Sequence, residues 1–579
     1  MDRRSAPLPL LVVRLRGTQA QMGEQHGRCL RQFGGYEQTV EYYPELPARL
    51  LFGGLSGVAG KLAQALSGSA ADLALRWMER YRPKPYLERT RAFAEALGLP
   101  RSFSRHLMVM DVFQNFVGVI GRLGLGPFAG RAAPACSSLA VWGAATSAER
   151  LYHARNFDFP GIGVWDQAPT VVFCDPQEGI PYGFVTTRGA DIPGITAFNA
   201  AGLTVTTHTR FHRDVSFCAT ALTDLVHDIV RRAESLQDAC RIAEETKVAS
   251  TWGIALSSGR ERSAVVLETT AAGTSIVRPQ SGACHLACTN RYHDPEKRKG
   301  EVTTSSSWTE HCDGREARFN QAVTEARRSG GLEAADLERL LGDHLDPDAP
   351  GRVRGGGSIL SQPETVKSVV CDPDAEEIRV SAGPAPTGWG PFEIVPWSWA
   401  GPVEGVEWQP GGAGGEARAD DLRSRRQVPF ESRAEAEGYS HFQEAVRLDH
   451  HPGNHDHMIL AHLEQAVALV PREPTYRFLA GMVLLKEGEA DIALDYFTHG
   501  LLNEQAPFRR GQLLLWGSRA AHLGGAASRA ADMRRELLNL SHPHLAEYQE
   551  AATAEERTPF PRWRLRFLQV ALGLVDAIV

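Results

Sequence analysis

The order of secondary-structure signals predicts an α+β layered domain followed by an all-α one. Three observations carry that expectation: helical apolar spacing up to about residue 120, short β-type runs from Pro134 to about residue 382, and helical spacing again from about Glu431. In the first part Leu62, Leu66, Leu73, Leu75 and Met78 recur at helical spacing until Pro83 and Pro85 break the pattern. The β-type runs cover 138–142, 151–156, 170–173, 182–187, 203–209, 252–256 and 264–268, separated by Gly, Pro and Asp. Helical stretches over 220–245 and 315–341, the second broken at Gly330 and Gly331, intervene before strands at 366–371 and 377–382. Strands interleaved with a few long helices in one chain suit layers packed on layers.

Between Trp399 and Asp421 the chain is Gly-rich, with Gly411, Gly412, Gly414 and Gly415 in a polar setting, which reads as a linker. Beyond it, Gly481, Ala493, Phe497 and Gly500 stand where helical hairpins place small and aromatic packing residues. Ala466 and Gly500 are 34 residues apart, and Pro471 stands where such a unit ends its second helix. This segment resembles degenerate tetratricopeptide repeats, although most of their Trp and Tyr signature positions are lost. The expected organisation is a mainly helical leading segment (1–135), an α+β core (136–400), a linker (401–428) and a tetratricopeptide-like domain (429–579).

Composition excludes several function classes. Of the 579 residues 43% are hydrophobic and 23% charged, and the formal charge is −7 with no long basic run, so nucleic acid is not an expected partner. The longest apolar stretch, His106 to Ile120, is interrupted by Asp111, Gln114 and Asn115, so it reads as a buried helix and not a membrane span. The opening residues lack a small-residue cleavage site, and the nine scattered cysteines do not form a disulfide framework, so a reducing cytoplasm is expected. His450, His451, His455 and His457 match no recurring metal pattern, and no metal or cofactor is expected.

One region is chemically distinctive. Cys136 opens a β-type run, and a second run brings Arg155 and Asp158 back towards it, so a hairpin would gather a thiol, a guanidinium and a carboxylate. Here the sequence resembles the N-terminal-nucleophile hydrolases with a cysteine nucleophile, the superfamily of choloylglycine hydrolases, penicillin V acylase, acid ceramidase and N-acylethanolamine amidase. It is most similar to the isopenicillin N acyltransferase branch. Further stretches carry the likeness in the family's order: Gly17-Thr18 with Met22 to Gly27, Asn199 to Thr204, Cys288 to Tyr292, and Ser368 to Val370 with Asp372-Pro373. The likeness covers about residues 10 to 395.

What the resemblance implies is a four-layer αββα sandwich in which cleavage between Ala135 and Cys136 frees the α-amine of Cys136. A free α-amine titrates near pH 7.7–8.0, so it can serve as base to its own thiol. Arg155 would favour the thiolate and Asp158 would orient the amine. Asn290, with Asn199, would donate to the oxyanion, and a site arginine would follow from the next helix, where Arg315 and Arg318 are both available and Arg318, before Phe319, fits better. Where relatives often read Asn-His-Phe this chain has Asn290-Arg291-Tyr292, so Arg291 and Tyr292 are expected beside the substrate, Arg291 favouring an anionic group. The expected activity is that of an autoprocessed amidohydrolase or acyltransferase on a linear amide of a small acylated amine or peptide-like substrate, through a thioester at Cys136. The rival is a catalytically silent scaffold whose C-terminal repeats bind a protein partner.

Overall fold

The computed structural model describes residues 7–52, 57–124, 135–303, 305–399, 405–408, 428–451 and 455–579. Strand β1 (Leu11–Gly17) precedes five helices: α1 (Gln19–Phe33), α2 (Glu37–Phe52), α3 (Gly57–Met78), α4 (Lys84–Ala96) and α5 (Val109–Arg122). Six strands follow: β2 (Ala135–Val141), β3 (Tyr152–Asp158), β4 (Pro169–Pro176), β5 (Tyr182–Thr187), β6 (Thr196–Asn199) and β7 (Leu203–Thr209). Helices α6 (Leu222–Arg232) and α7 (Leu236–Glu245) separate these from β8 (Trp252–Ser258), β9 (Ser263–Thr270), β10 (Gly273–Val277) and β11 (His285–Cys288). Next come the one-turn α8 (Pro295–Arg298), α9 (Ser306–Ser329) and α10 (Ala334–Leu341), then β12 (Thr365–Asp372), β13 (Glu377–Ser381), β14 (Phe392–Pro396) and β15 (Gly405–Trp408).

Two sheets result, in the orders β10-β9-β8-β7-β6-β5-β4-β1-β15 and β11-β2-β3-β12-β13-β14. Every pairing is antiparallel except β1 with β4. Period-2 alternation assigns the faces. Leu10 and Val12 join Val171, Phe173, Val369 and Ile378 between the sheets, while Leu11, Val13 and Val172 join Met22, Phe93 and Ile229 under α1, α4 and α6. On the other side Leu139, Ala154 and Val370 pack against Phe319 of α9 and Leu337 of α10. The layers are therefore helix, sheet, sheet, helix.

The leading segment is helical as expected but also supplies β1, and the segment taken for a linker supplies β15, which pairs with β1 from Leu11↔Trp408 to Arg14↔Gly405. A Gly-rich composition therefore marks a linker only in part here; Gly411 to Gly415 lie outside the described residues. The break at Gly330 is a left-handed helix cap at φ 103° that ends α9. In α5, Val109, Val112, Phe113 and Val117 are buried. No helix among the described residues is long and apolar enough to cross a membrane.

The C-terminal part contains α11 (Arg433–Asp449), α12 (Asp456–Leu469), α13 (Pro474–Glu487), α14 (Ala490–Leu501), α15 (Pro507–Leu523), α16 (Ala527–Leu538) and α17 (Ala546–Arg557), then the hairpin β16 (Gln569–Ala571) and β17 (Asp576–Ile578). A Cβ on Gly481 would come within 2.7 Å of the Phe497 ring, so α13 and α14 touch through a position only glycine can occupy. Among the described residues no group of three or more His, Cys, Asp or Glu could hold a metal ion.

Candidate active site

The β2–β3 hairpin sets the site. Its register places Cys136 opposite Phe157, Ser138 opposite Arg155 and Ala135 opposite Asp158. Cys136 and Arg155 are therefore diagonal neighbours on the face turned towards the second sheet, and Asp158 lies on the face turned towards α9. Arg155 Nη2 donates to Cys136 Sγ at 3.1 Å. The guanidinium is held by Thr196 Oγ1 at 3.0 Å, the Thr207 carbonyl at 3.2 Å and the Ile195 carbonyl, and it sits 4.7 Å from the centre of the Phe157 ring.

Strand β11 pairs with β2 only as far as Ser138, so the backbone of Cys136 projects past its partner. Two side chains take over. The Cys136 N–H donates to Asn290 Oδ1 at 2.9 Å, and Arg315 Nη1 donates to the Cys136 carbonyl at 2.6 Å. Arg315 Nη2 reaches the same Asn290 oxygen at 3.0 Å, and Asn290 Nδ2 donates to the Thr209 carbonyl at 2.9 Å. Asp158 Oδ1 accepts from Thr365 Oγ1 at 2.6 Å, Arg315 lies 3.7 Å from Oδ2, and that second oxygen is buried with no hydrogen-bond donor. A buried carboxylate oxygen lacking a donor is unusual and calls for one.

The charges compete. Burial pushes the Cys136 thiol up, Arg155 and Arg315 pull it down and Asp158 opposes them, and the net shift is upward. The thiol is therefore protonated at neutral pH in this state, and Arg155 does not by itself make it a thiolate. Burial also pushes Asp158 up, to about 6, against the pull of Arg315, Thr365 and Arg155. Cys136 opens onto a cavity of about 60 Å³ walled by apolar side chains from both parts of the chain: Tyr43 and Met110 of the leading segment, and Phe157, Trp165, Ile195 and Trp252 of the core. Asp111, raised to about 6 by burial, is its carboxylate.

Four of the expected site residues lie elsewhere. Arg318 points away from Cys136 and pairs with Asp343, Nε to Oδ2 at 2.7 Å; it is Arg315, three positions earlier on α9 and so about 60° round the helix, that faces the sheet. Asn199 is spent on local structure, accepting from the N–H groups of Ala201 and Leu203 at 3.1 Å and donating to the carbonyls of Val230 and Ala233 at 3.0 and 2.9 Å. All its hydrogen-bonding capacity binds the β6–β7 turn to the end of α6. Arg291 is neutralised by Glu301 and Asp313, each at 3.2 Å, and Tyr292 is fully buried, its hydroxyl donating to the Thr269 carbonyl at 3.1 Å. Neither lines the cavity. Asn290 is at the site, but it turns its oxygen and not its NH₂ to Cys136. Thr365 and the wall residues Tyr43 and Met110 escaped the sequence reading; only the position of Thr365, three residues before Ser368-Val369-Val370, marked it.

Residues 146–331, which hold Arg155, Asp158, Asn290 and Arg315 but begin after Cys136, match the family model described as acyl-coenzyme A:6-aminopenicillanic acid acyl-transferase. No curated protein matches the chain. Among solved structures, a Caenorhabditis elegans N-acylethanolamine-hydrolyzing acid amidase ortholog is similar at 14% identity and TM-score 0.29, over 41% of this chain and 93% of that one. Penicillin V acylase from Agrobacterium tumefaciens is similar at 13% identity and TM-score 0.26, over 43% and 83% respectively. Over residues 146–331, then, the chain is similar to an acyltransferase family.

Proposed function

We propose that the protein is an autoprocessed cysteine amidohydrolase or acyltransferase of the N-terminal-nucleophile type, acting on a linear amide of a small acylated amine or peptide-like molecule through a thioester at Cys136. The observation that carries the reading is the setting of Cys136: a thiol on a guanidinium at 3.1 Å, at the wall of an apolar cavity, with its backbone N–H and C=O held by Asn290 and Arg315 and not by a strand. The family match over residues 146–331 supports it. Processing would begin with attack of Sγ on the Ala135 carbonyl, the thiol proton passing to the Cys136 nitrogen as the C–N bond breaks. Water would then hydrolyse the Ala135 thioester, leaving a carboxylate on Ala135 and a free amine on Cys136.

That amine carries hydrogens the peptide N–H lacks. One would remain on Asn290 Oδ1, and another would be offered to Asp158 Oδ2, a buried acceptor that has no hydrogen-bond donor in the uncut chain. The neutral amine then takes the thiol proton as Sγ attacks the substrate carbonyl, and returns it to the departing amine nitrogen. A thiol that is protonated at rest suits this concerted transfer. Water as acceptor gives hydrolysis and an amine gives acyl transfer.

Intact mass under denaturing conditions, beside a Cys136→Ala variant, tests the proposal. Two fragments from the wild type, the larger beginning at Cys136, with the variant whole, are expected. A wild-type chain that stays whole and forms no acyl-enzyme refutes it. Release of free acid against capture by added amines then separates hydrolase from transferase.

A further inference from the structure

The helix that brings Arg315 to Cys136 is gripped along its first turns by the C-terminal array. Arg509 of α15 donates to Glu310 of α9 at 2.8 Å, with both side chains more than nine-tenths buried. Arg509 also holds the Val575 carbonyl in the β16–β17 turn at 3.1 Å, so one guanidinium joins α15, the terminal hairpin and α9. On the same face of α9, Ser307 Oγ accepts from Gln512 at 2.7 Å and Asp313 lies 3.2 Å from His544. Positions 307, 310 and 313 form one stripe of a helix, and Arg315 extends from the turn that follows.

The array also encloses a segment of the core. Arg354 lies in the loop before β12 and forms a two-pronged pair with Glu504 at 2.6 and 2.8 Å, both about 1% exposed. Gln443 of α11 donates to the Pro363 carbonyl at 3.0 Å. A Cβ on Gly573, at the tip of the terminal hairpin, would come within 2.4 Å of Glu364, whose neighbour Thr365 holds Asp158. Charged groups buried this completely and matched this fully belong to a permanent junction, since parting them would strand each charge without water.

We infer that the C-terminal array is a working part of the catalytic unit: it clamps α9 so that Arg315 stays on Cys136, and the face a repeat array would offer to a foreign peptide is filled by this chain's own loop before β12. Arg509 and Glu310 are positioning residues. The clamp rests on the proposed function for what Arg315 does, but the mechanical link can be tested without it.

The test is hydrogen exchange on the full chain carrying Arg509→Met, read together with the alkylation rate of Cys136 against pH. Amides over residues 306–318 are expected to exchange at least about tenfold faster, while those of α13 keep their protection, because a truncated buried pair loosens its partner's helix first. The pH profile of Cys136 alkylation is expected to shift as Arg315 leaves, and Arg509→Lys is expected to restore part of both signals. Glu310→Gln, a smaller change, serves if Arg509→Met does not fold. Unchanged protection over 306–318 in either folded variant overturns the inference. A wild type that neither cleaves nor acylates refutes the proposed function and leaves the exchange result to decide the clamp.

Discussion

Replacing Asp191 by Asn should loosen the hold between the leading segment and the core. Asp191 belongs to the core and receives Arg89 of α4 at 2.7 Å on each oxygen and His26 of α1 at 3.0 Å, all three side chains being essentially inaccessible. The amide cannot balance the guanidinium, so a buried cation loses its partner, a change that costs about 3–5 kcal/mol. That is a large share of the roughly 5–15 kcal/mol by which domains are stable. Burial raises the Asp191 carboxyl, but Arg89 and His26 more than offset this and hold it well below the usual carboxylate range. A depressed carboxyl contributes stability that is fully present above the unfolded value near 3.9 and fades as pH falls towards the folded one. The gap between parent and variant should therefore be flat from about pH 5 to 8 and narrow below about pH 4. Urea unfolding of Asp191→Asn in a Cys136→Ala background, which under the proposed self-cleavage would keep the chain whole, measures it. A difference under about 1 kcal/mol at pH 7, or one that grows on acidification, would refute the reasoning.

Three further outcomes are expected. Arg155→Met removes the cation on the thiol, so Cys136 alkylation at neutral pH should fall roughly 10- to 1,000-fold, the reach of a neighbouring charge on a thiol's ionisation. Burial raises Asp158 to about 6 in the uncut chain, and the amine freed by the proposed cleavage would lower it, so turnover should rise with pH through a limb at or below about 6 that Asp158→Asn abolishes. Asn199→Ala strands two carbonyls and two N–H groups, so thermal stability should drop by an amount equivalent to about 1–3 kcal/mol per group left unsatisfied, while the Cys136 alkylation rate stays at the parent value.

The fold was legible because its signals are local. Alternation in runs such as Leu203–Thr209 and the helix break at Gly330 and Gly331 follow from neighbours in sequence, and the structure places a strand and a helix end there. The hairpin that brings Arg155 back beside Cys136 was legible for the same reason. The choice between Arg315 and Arg318 was not, because both suit a helix and only packing against β2 decides which one points inward. Asn199 misled because an Asn before Gly202 suits a turn as well as a reacting group, and its four hydrogen bonds show the turn. The cavity wall escaped notice because Tyr43 and Met110 are far from Cys136 in sequence, and nothing local marks a side chain that only tertiary packing brings there.

The place of β1 has a consequence for the order of events in the protein's life. The strand lies between β4 and β15, and among the described residues it is the only partner of β15. In the uncut chain that insertion is a unimolecular step, available at any dilution. Once the bond before Cys136 is broken, the same step joins two molecules, and its rate depends on their concentration. Folding must then precede cutting, and a cut molecule that unfolds in dilute solution has no ready way back. Its lifetime is governed by how slowly the sheet opens and not by an equilibrium between folded and unfolded forms. Under the proposed self-cleavage, cutting would therefore act as a clock as well as a switch: it would start the chemistry and make the first loss of the sheet the last.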